Sequence, residues 1–224
     1  MPADTLPEWE QVLSSAARLQ QIIPDAVLVG GTAAAMHAHH RFSRDADHIV
    51  VDLEHRFDEI LAELEAVAGW QTSRVRRPVL ILGSLDGIET GIRQLIRKRP
   101  LETVRERHGN VDITVPTARE ILRIKGVLIL KRNATRDYLD FIALAVHIGD
   151  HAVTEALISF DDLYPQENGA SALQQLQVQL ANPMPYDIDE TRLTEYKNLA
   201  PEWHDWSHVK AAAARLAVLI LEQL

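Results

Sequence analysis

Residues 27–51 read VLVGGTAAAMHAHHRFSRDADHIVV, and the fold class follows from this stretch. The apolar run Val27-Leu28-Val29 leads into the glycine pair Gly30-Gly31, and an alanine-rich segment follows. This order is typical of a buried strand that enters a tight turn before a helix. Thirteen residues separate Gly31 from Asp45-Ala46-Asp47, which opens a second apolar run. The stretch therefore predicts a strand, a helix and a second strand.

The glycine pair allows two interpretations. Glycine lets the backbone approach a ligand closely, and the free N–H groups and dipole at a helix start favour a phosphate. A short glycine motif at the end of a strand is also common as a simple tight turn with no ligand. Taken alone, Gly30-Gly31 is compatible with both.

The acidic pair Asp45 and Asp47 points more clearly to a ligand. Residues i and i+2 of a strand share a face, so the two carboxylates lie roughly 6–7 Å apart. Such a pair suits Mg²⁺, an ion that prefers oxygen ligands. The alternative is that both side chains only solvate the strand end beside Ser43 and Arg44. Aspartate is disfavoured in strands, and two like charges on one face repel unless a cation offsets them, so the metal interpretation is favoured.

The periodicity of the remaining chain predicts an α+β fold. A mixed β-sheet flanked by helices is expected in a domain of residues 1–150, followed by a helical C-terminal region of residues 151–224. The turn Asp86-Gly87 joins the two strands of a predicted hairpin. Predicted helices cover residues 7–23, 32–39, 57–67, 117–132 and 135–148, and predicted strands cover 26–29, 46–52, 79–85, 88–95 and 111–115. Prolines at 165, 183 and 201 break the later helices.

Composition limits the classes of protein to which the chain can belong. The 224 residues carry a net charge of −9 and include no cysteine, which excludes disulfides, thiolate zinc sites and cysteine nucleophiles. There is no apolar run of the ~18–20 residues needed to span a bilayer. The first residues lack the basic and apolar regions of a signal peptide. We therefore expect a cytoplasmic protein with no membrane partner.

The charges are unevenly distributed. Residues 74–136 hold 15 Lys and Arg against 6 Asp and Glu, a local balance of +9 in a chain whose total is −9. A split of this kind indicates that one face binds an anion while the rest keeps the chain soluble.

The glycine pair and the acidic pair together resemble the signature of nucleotidyltransferases with the DNA-polymerase-β-like fold. The resemblance is closer to the AbiEii/AbiGii toxin group, whose alanine-rich helix ends in an Arg-x-Ser-x-Asp-x-Asp run, here Arg41 to Asp47. A downstream motif of that group also matches, in Lys125, Arg132 and the block Arg136-Asp137-Tyr138-Leu139-Asp140. The resemblance covers roughly residues 27–147.

The resemblance implies a Mg²⁺-dependent (or Mn²⁺-dependent) transfer of a nucleoside monophosphate from an NTP to an RNA 3′ end or a protein hydroxyl, beside a cognate antitoxin protein. It assigns the metal to the catalytic pair Asp45 and Asp47, and a phosphate contact to Lys125. Asp137 or Asp140 would orient that lysine or act near the incoming hydroxyl. The remaining nucleotide-binding residues that it implies are Gly30, Gly31, Thr32, Ser43 and Arg132.

A structural interpretation of the downstream motif stands beside the functional one. Asp137 and Asp140 lie at i and i+3 of a predicted helix, where they can form salt bridges with Arg132 or Arg136. If they are catalytic instead, we expect them to form a surface pair that contributes little to folding.

One position departs from the pattern of the fold. The third carboxylate that such enzymes often carry on the strand after the hairpin turn falls near Gly91, which has no side chain. Glu89, two residues earlier on the same strand face, is the candidate substitute. The departure leaves a second interpretation, a catalytically impaired relative that acts as a nucleotide- or partner-binding module.

The basic middle of the chain predicts an RNA acceptor, because a chain of net charge −9 repels a polyanion unless a basic surface faces it. The alternatives are a solvated charge run or a docking face for an acidic antitoxin. The residues expected to contact RNA are Arg93, Arg97, Lys98, Arg99, Arg105 and Arg107.

A weaker candidate lies near the C-terminus. His204 and His208 have the i, i+4 spacing of a zinc-binding helix, but Asp205 stands where a glutamate base is expected and no third ligand is evident.

Overall fold

The computed structural model describes residues 6–167, 169–189 and 191–223. The chain forms two compact units, the first made of Met1–Ala33 and Ser43–Thr117, the second of Ala34–Phe42 and Ala118–Leu224. The sequence predicts a domain of residues 1–150 and a helical region of residues 151–224, and that boundary stays a prediction.

The first unit carries the strands. Helix α2 (Gly30–Ala38) begins in this unit and ends in the second. The other elements of the first unit are α1 (Leu6–Ile22), β1 (Val27–Leu28), β2 (Ala46–Val50), α3 (Leu53–Glu65), β3 (Trp70–Arg76), β4 (Leu80–Leu85), β5 (Ile88–Gln94), β6 (Thr103–His108) and β7 (Val111–Pro116).

Five strands form a mixed sheet in the order β1-β2-β5-β4-β3, and β6 and β7 form a separate antiparallel pair. Strands β2 and β5 run parallel, and the other neighbours in the five-stranded sheet are antiparallel. The predicted α+β class with a mixed sheet is confirmed. The Asp86-Gly87 turn joins β4 to β5, as the sequence predicts, and both residues have positive φ values.

One face of the five-stranded sheet supplies the core of the first unit. Ile81 on β4 and Ile92 on β5 are register partners, and both side chains are fully buried. They belong to a buried apolar cluster to which α1 and α3 contribute Leu19, Ile60 and Leu64. Because side chains alternate along a strand, Asp47 of β2 and Gly91 of β5 face the opposite side of the sheet.

Two strands were not predicted from the sequence. In β3 only Trp70 of seven residues is buried, and β6 is exposed or half-buried along its length. Neither strand shows an alternation of apolar and polar residues. Backbone pairing with β4 and β7 forms these strands, and that pairing leaves no periodic signal in the sequence.

The second unit is helical. The predicted proline breaks are confirmed, since Pro165 and Pro183 lie between helices and Pro201 opens a 3₁₀ turn. Within the described residues, no helix combines the length and the apolar character needed to cross a membrane. Its helices after α2 are α4 (Ala118–Arg132), α5 (Thr135–Ile148), α6 (Asp150–Leu157), α7 (Phe160–Leu163), α8 (Ala172–Ala181) and α9 (Trp206–Gln223), with 3₁₀ turns at Leu193–Glu195 and Pro201–Trp203.

The central position of Ile92 gives a test of the core. Ile92→Ala removes a fully buried side chain, and we expect it to lower the free energy of unfolding by about 2–5 kcal/mol in urea titrations. Ile96→Ala is the matched control, because Ile96 is 73% exposed and its truncation should change stability by less than about 0.5 kcal/mol. Equal losses in the two variants would contradict the assigned core.

Candidate active site

The acidic pair lies at the start of β2. Asp45 immediately precedes the strand, and Asp47 is its second residue. Exposure alternates through this segment, with Asp45 and Asp47 half-buried and Ala46 fully buried. The two carboxylates therefore occupy the same face of the sheet, opposite the core. The Asp47 side chain keeps 29% of its surface exposed, so a ligand can reach it.

The glycine turn lies beside Asp47. Gly30 has a φ of +74°, a backbone conformation that favours glycine, and it is the first residue of α2. A Cβ atom added to Gly30 would lie 3.7 Å from Asp47 Oδ2. The Val29 N–H also donates to the Asp47 carbonyl oxygen over 2.8 Å. The start of the helix and the carboxylate thus line the same small region.

Two hydroxyl groups hold Asp45. The Thr32 hydroxyl donates to its backbone carbonyl, and the Ser43 hydroxyl donates to its Oδ1 atom. Thr32 is 1% exposed, so its hydroxyl group forms this hydrogen bond in the interior of the protein. These contacts orient Asp45, and the nucleotide contacts predicted for Thr32 and Ser43 stay predictions.

Strand β5 faces Asp47 with a glycine and an arginine. The parallel register pairs Asp47 with Gly91, and a Cβ atom added at Gly91 would lie 3.2 Å from Asp47 Oδ1. Two residues further on, Arg93 Nη2 lies 3.6 Å from the same oxygen. Glu89, two residues before Gly91, is exposed. The role of Glu89 as a replacement ligand stays a prediction.

The donor atoms around the acidic pair fit a magnesium ion. Carboxylate oxygens of Asp45 and Asp47 and the hydroxyl of Ser43 are the hard oxygen donors that Mg²⁺ prefers. In the described parts of the chain, no group of three or more His, Cys, Asp or Glu residues is arranged to hold a metal. Mg²⁺ commonly binds through one or two carboxylates and completes its shell with water and substrate phosphates. The pair is therefore suited to an ion that arrives with a nucleotide.

The second unit contains a buried charge cluster centred on Asp140 of α5, whose side chain is fully buried. Arg41 donates to both of its carboxylate oxygens, from Nε over 2.7 Å and from Nη2 over 2.9 Å. Lys125 Nζ lies 2.6 Å from Oδ2, and His40 Nε2 lies 2.7 Å from Oδ1. The Arg41 guanidinium also lies over the Tyr196 ring, 5.6 Å from its centre.

Asp137 connects this cluster to Arg132, whose side chain is partly exposed. It is fully buried, and it accepts from Arg132 Nε over 2.6 Å and from Arg132 Nη2 over 2.8 Å. Lys125 Nζ lies 3.5 Å from its Oδ1. The Arg132 side chain is 39% exposed, whereas that of Lys125 is 1% exposed. The phosphate contact predicted for Lys125 stays a prediction, and in this structure its ammonium group is bound by two carboxylates.

Burial and charge set the protonation of the cluster. Burial by itself raises the pKa of Asp140, but the nearby positive charges outweigh it and hold this pKa well below the usual 3.8. Burial lowers the pKa of His40 below 6.5, although its hydrogen bond to Asp140 opposes the shift. His40 Nδ1 is buried and has no hydrogen-bond partner among the described residues, as expected for a neutral ring that donates from Nε2.

The expectation of a surface pair is wrong. Asp137 and Asp140 are fully buried, because α5 turns both carboxylates toward cations contributed by other segments. The predicted salt bridge between Arg132 and Asp137 does form. His40 and Arg41 were missed as partners of Asp140, which lies 99 residues after Arg41. The only signal was the presence of Arg41 in the upstream motif.

Of the basic residues expected to contact RNA, Arg93 lies on β5, and the others lie on the loop after it and on the hairpin of β6 and β7. Arg97 donates to the backbone carbonyls of Arg99 and Pro100, so it shapes its own loop. Lys98 and Arg99 are exposed, as are Arg105 and Arg107, which share one face of β6.

The histidine pair near the C-terminus does not form a zinc helix. His204 follows a 3₁₀ turn, and its Nε2 lies 2.9 Å from the Leu199 carbonyl oxygen. Helix α9 begins only at Trp206, so His204 and His208 do not lie on one helix.

Solved structures share the fold of this chain, and one of them, from Helicobacter pylori, is described as a "putative nucleotidyltransferase". JHP933 from Helicobacter pylori matches with a TM-score of 0.59 and 14% identity over 100% of this chain and 94% of that protein. ANT(2″)-Ia, solved in complex with adenylyl-2″-tobramycin, matches with a TM-score of 0.51 and 10% identity over 68% of this chain and 96% of that protein. At these identities the similarity shows the fold, which is the nucleotidyltransferase fold.

The family is shown by sequence. The family described as "Nucleotidyl transferase AbiEii toxin, Type IV TA system" matches residues 11–211. The chain therefore belongs to the AbiEii nucleotidyl transferase toxin family, as its motifs indicate.

Curated relatives cover part of the chain. The mycolic acid-containing lipids exporter MmpL11 of Mycolicibacterium smegmatis is 31% identical over 131 residues, which are 57% of this chain and 13% of that protein. The heme uptake protein MmpL11 of Mycobacterium tuberculosis H37Rv is 31% identical over 130 residues, with the same coverage. The chain thus matches only about an eighth of the length of these relatives.

Asp140 provides a test of the buried cluster. Asp140→Asn leaves two buried cations, Arg41 and Lys125, without their shared counter-charge, so the free energy of unfolding should fall by about 3–5 kcal/mol. Asp150→Asn is the control, because it breaks an exposed pair with Arg215 and should cost at most about 1 kcal/mol. A loss in Asp140→Asn no larger than in the control would show that the cluster contributes little to stability.

The same variant should change the acid limb of the stability curve. Since the pKa of Asp140 is lower in the folded chain than in the unfolded chain, the unfolded chain takes up this proton first as the pH falls. Its contribution to stability is complete above the usual value of 3.8 and is lost as the pH falls below it toward the folded pKa. Urea titrations between about pH 5 and pH 2 should therefore show a shallower acid limb in Asp140→Asn than in wild type.

Proposed function

We propose that this chain is a Mg²⁺-dependent nucleotidyltransferase that transfers a nucleoside monophosphate from an NTP to a hydroxyl acceptor. One observation carries the proposal: the accessible carboxylates Asp45 and Asp47 share a sheet face beside the glycine turn at Gly30. Family membership supports the reaction class, since the family bears the name of a nucleotidyl transferase toxin.

The residues of the first unit bind the nucleotide in this proposal. Asp45 and Asp47 hold the divalent ion, which, when bound, supplies positive charge to the phosphates. Gly30 and Gly31 give the triphosphate access to the free N–H groups at the start of α2. Thr32 fixes the backbone at Asp45 from inside the fold.

The reaction is a displacement at the α-phosphorus. The acceptor oxygen forms a bond to this phosphorus, the bond to the bridging oxygen of the β-phosphate breaks, and pyrophosphate leaves with that electron pair. The acceptor proton passes to solvent. Such transfers depend above all on position and on stabilisation of the negative charge that the transition state spreads over the phosphate oxygens.

In this proposal the buried carboxylates of the second unit position neighbouring cations and do not act as a general base. The low pKa of Asp140 and its three cationic or hydrogen-bonding partners make this carboxylate a poor proton acceptor. Its proposed role, shared with Asp137, is to orient Lys125 and Arg132. Arg132 is the partly exposed member of this cluster, and the nucleotide contact expected of it stays a prediction.

The acceptor in this proposal is an RNA 3′ end. The exposed cations Lys98, Arg99, Arg105 and Arg107 support it, because phosphates bind such surfaces. A protein hydroxyl is the other acceptor class, and an acidic antitoxin is the partner that the same surface would fit. We place the activity in the cytoplasm and propose a toxin role beside a cognate antitoxin, as the family name indicates.

The absence of a side chain at Gly91 supports a second candidate function. In this alternative the chain is a catalytically impaired relative that binds nucleotide or a partner without turnover. The position opposite Asp47 in the register has no carboxylate. Incubation with labelled NTPs, Mg²⁺ and total tRNA separates the two: label transferred to RNA supports the enzyme, and nucleotide binding without transfer to RNA or protein supports the binding module.

The metal assignment predicts the loss of nucleotide binding on removal of the acidic pair. In calorimetry with Mn²⁺ and a non-hydrolysable NTP analogue, wild type should bind, and Asp45→Ala/Asp47→Ala should show no measurable binding because the ion loses both carboxylates. Asp112→Ala, which removes an exposed carboxylate on β7, is the control and should bind as wild type does. Equal binding by the double variant would show that the site is assigned wrongly.

The RNA assignment predicts a salt-dependent affinity. Phosphate contacts release counterions, so the logarithm of the affinity for total tRNA should fall linearly with the logarithm of the salt concentration. Lys98→Ala/Arg99→Ala should lower that slope by about two while leaving NTP binding unchanged. Arg97 is kept, because it supports the loop through backbone contacts.

The matched control removes two exposed lysines from the second unit. Lys131→Ala/Lys210→Ala changes the net charge by the same amount and should leave the slope unchanged. If wild type binds no RNA at ~50 mM salt, or if both double variants lower the slope equally, a protein acceptor is favoured.

A further inference from the structure

The charge of the carboxylate site is set by strand β5 as well as by β2. Residues 89, 91 and 93 of β5 share the sheet face that carries the acidic pair, because side chains alternate along a strand. Gly91 lies directly opposite Asp47, and Arg93 is the next residue on that face. The strand thus brings a positive charge, rather than a third carboxylate, next to Asp47.

The space at Gly91 is already filled from the neighbouring strand. A Cβ atom added at Gly91 would lie 2.6 Å from Leu82 Cδ2, which is closer than side-chain atoms approach one another. Leu82 of β4 is the register partner of Gly91, and its side chain leans over the glycine. A methyl group of Leu82 therefore lies where the Cβ atom of a side chain at position 91 would be.

Arg93 forms only a weak ion pair with Asp47, so its guanidinium can exchange Asp47 for an anionic ligand. Its Nη2 atom lies 3.6 Å from Asp47 Oδ1, and its side chain is 47% exposed. A long, half-exposed ion pair contributes little free energy, so little is lost when the guanidinium turns to another anion. The planar guanidinium is also well suited to donate two hydrogen bonds to one phosphate group.

We propose that Arg93 binds the polyphosphate of the nucleotide and supplies the second positive charge beside Asp47, so that the site takes one divalent ion rather than two. The inference rests on the proposed function and specifies its charge balance. Two carboxylates and one guanidinium have a net charge of −1, which one divalent cation reverses. A second divalent cation would need another carboxylate beside Asp47. Arg93 and Leu82 stand at that position instead.

Metal stoichiometry and nucleotide affinity together test the proposal. Electron paramagnetic resonance should count one bound Mn²⁺ per wild-type chain in the presence of a non-hydrolysable NTP analogue. Arg93→Gln should keep one Mn²⁺ but bind the analogue about 10- to 100-fold more weakly, because charged hydrogen bonds to phosphate are lost. Arg93→Lys, which keeps the charge but not the paired donors, should recover part of this loss.

The control for Arg93 is an arginine on the same face. Arg76 of β3 and Arg93 of β5 both pair with Leu80, from opposite sides, so Arg76 is two strand spacings, roughly 10 Å, from Arg93. Arg76→Gln should bind the analogue as wild type does. The affinity for a nucleoside monophosphate should change less than that for the triphosphate analogue in Arg93→Gln, since it is the polyphosphate that the arginine contacts.

Each outcome has a distinct meaning. Two Mn²⁺ ions per wild-type chain, or an unchanged affinity in Arg93→Gln, would overturn the role of Arg93 while leaving the proposed function intact. If wild type binds no Mn²⁺ with the analogue, the proposed function fails, and the role of Arg93 fails with it. Circular dichroism of the Arg93 variants, which are substituted at an exposed position, verifies that a loss of affinity is not a loss of fold.

Discussion

The parallel pairing of β2 with β5 determines the arrangement of the whole first unit. Its register sets Asp47 against Gly91 on one face of the sheet. By strand alternation, the same register turns Ile92 to the other face, where it is fully buried in the apolar core. A slip of one residue would bury the carboxylates and expose the core side chains. Core packing therefore fixes the geometry of the acidic pair, and two hydroxyl groups hold Asp45 in addition.

The second unit depends on a different constraint, the neutralisation of buried charge. Two carboxylates without exposure, Asp137 and Asp140, are costly to bury unless cations pair with them. Three positively charged side chains supply that pairing, and His40 adds a neutral hydrogen bond. A buried network of this kind is weak evidence for stability relative to an apolar core, but the loss of one member leaves uncompensated charge. These residues are thus restrained for structural reasons whether or not they contact a nucleotide.

The fold and the side chains of the site determine different properties of the chain. Structures at 10–14% identity share the fold, and a shared fold does not identify the substrate or the acceptor. The family match assigns the chain to the AbiEii nucleotidyl transferase toxin family. The chemistry of this chain depends on its own side chains. This site differs from a three-carboxylate site in its charge and in its number of carboxylates, because Gly91 and Arg93 of β5 stand beside Asp47.

The sequence by itself determined the strand–turn–helix–strand order, the acidic pair on one strand face and the α+β class, because these depend on local periodicity and on residues close together in the chain. Only the tertiary structure placed Arg41 on Asp140, 99 residues away, and buried a pair that was expected at the surface. It also formed β3 and β6, whose side chains are largely exposed. Pairing between distant segments leaves no periodic trace in a single sequence, since backbone hydrogen bonds and buried ion pairs are satisfied by partners that only folding brings together.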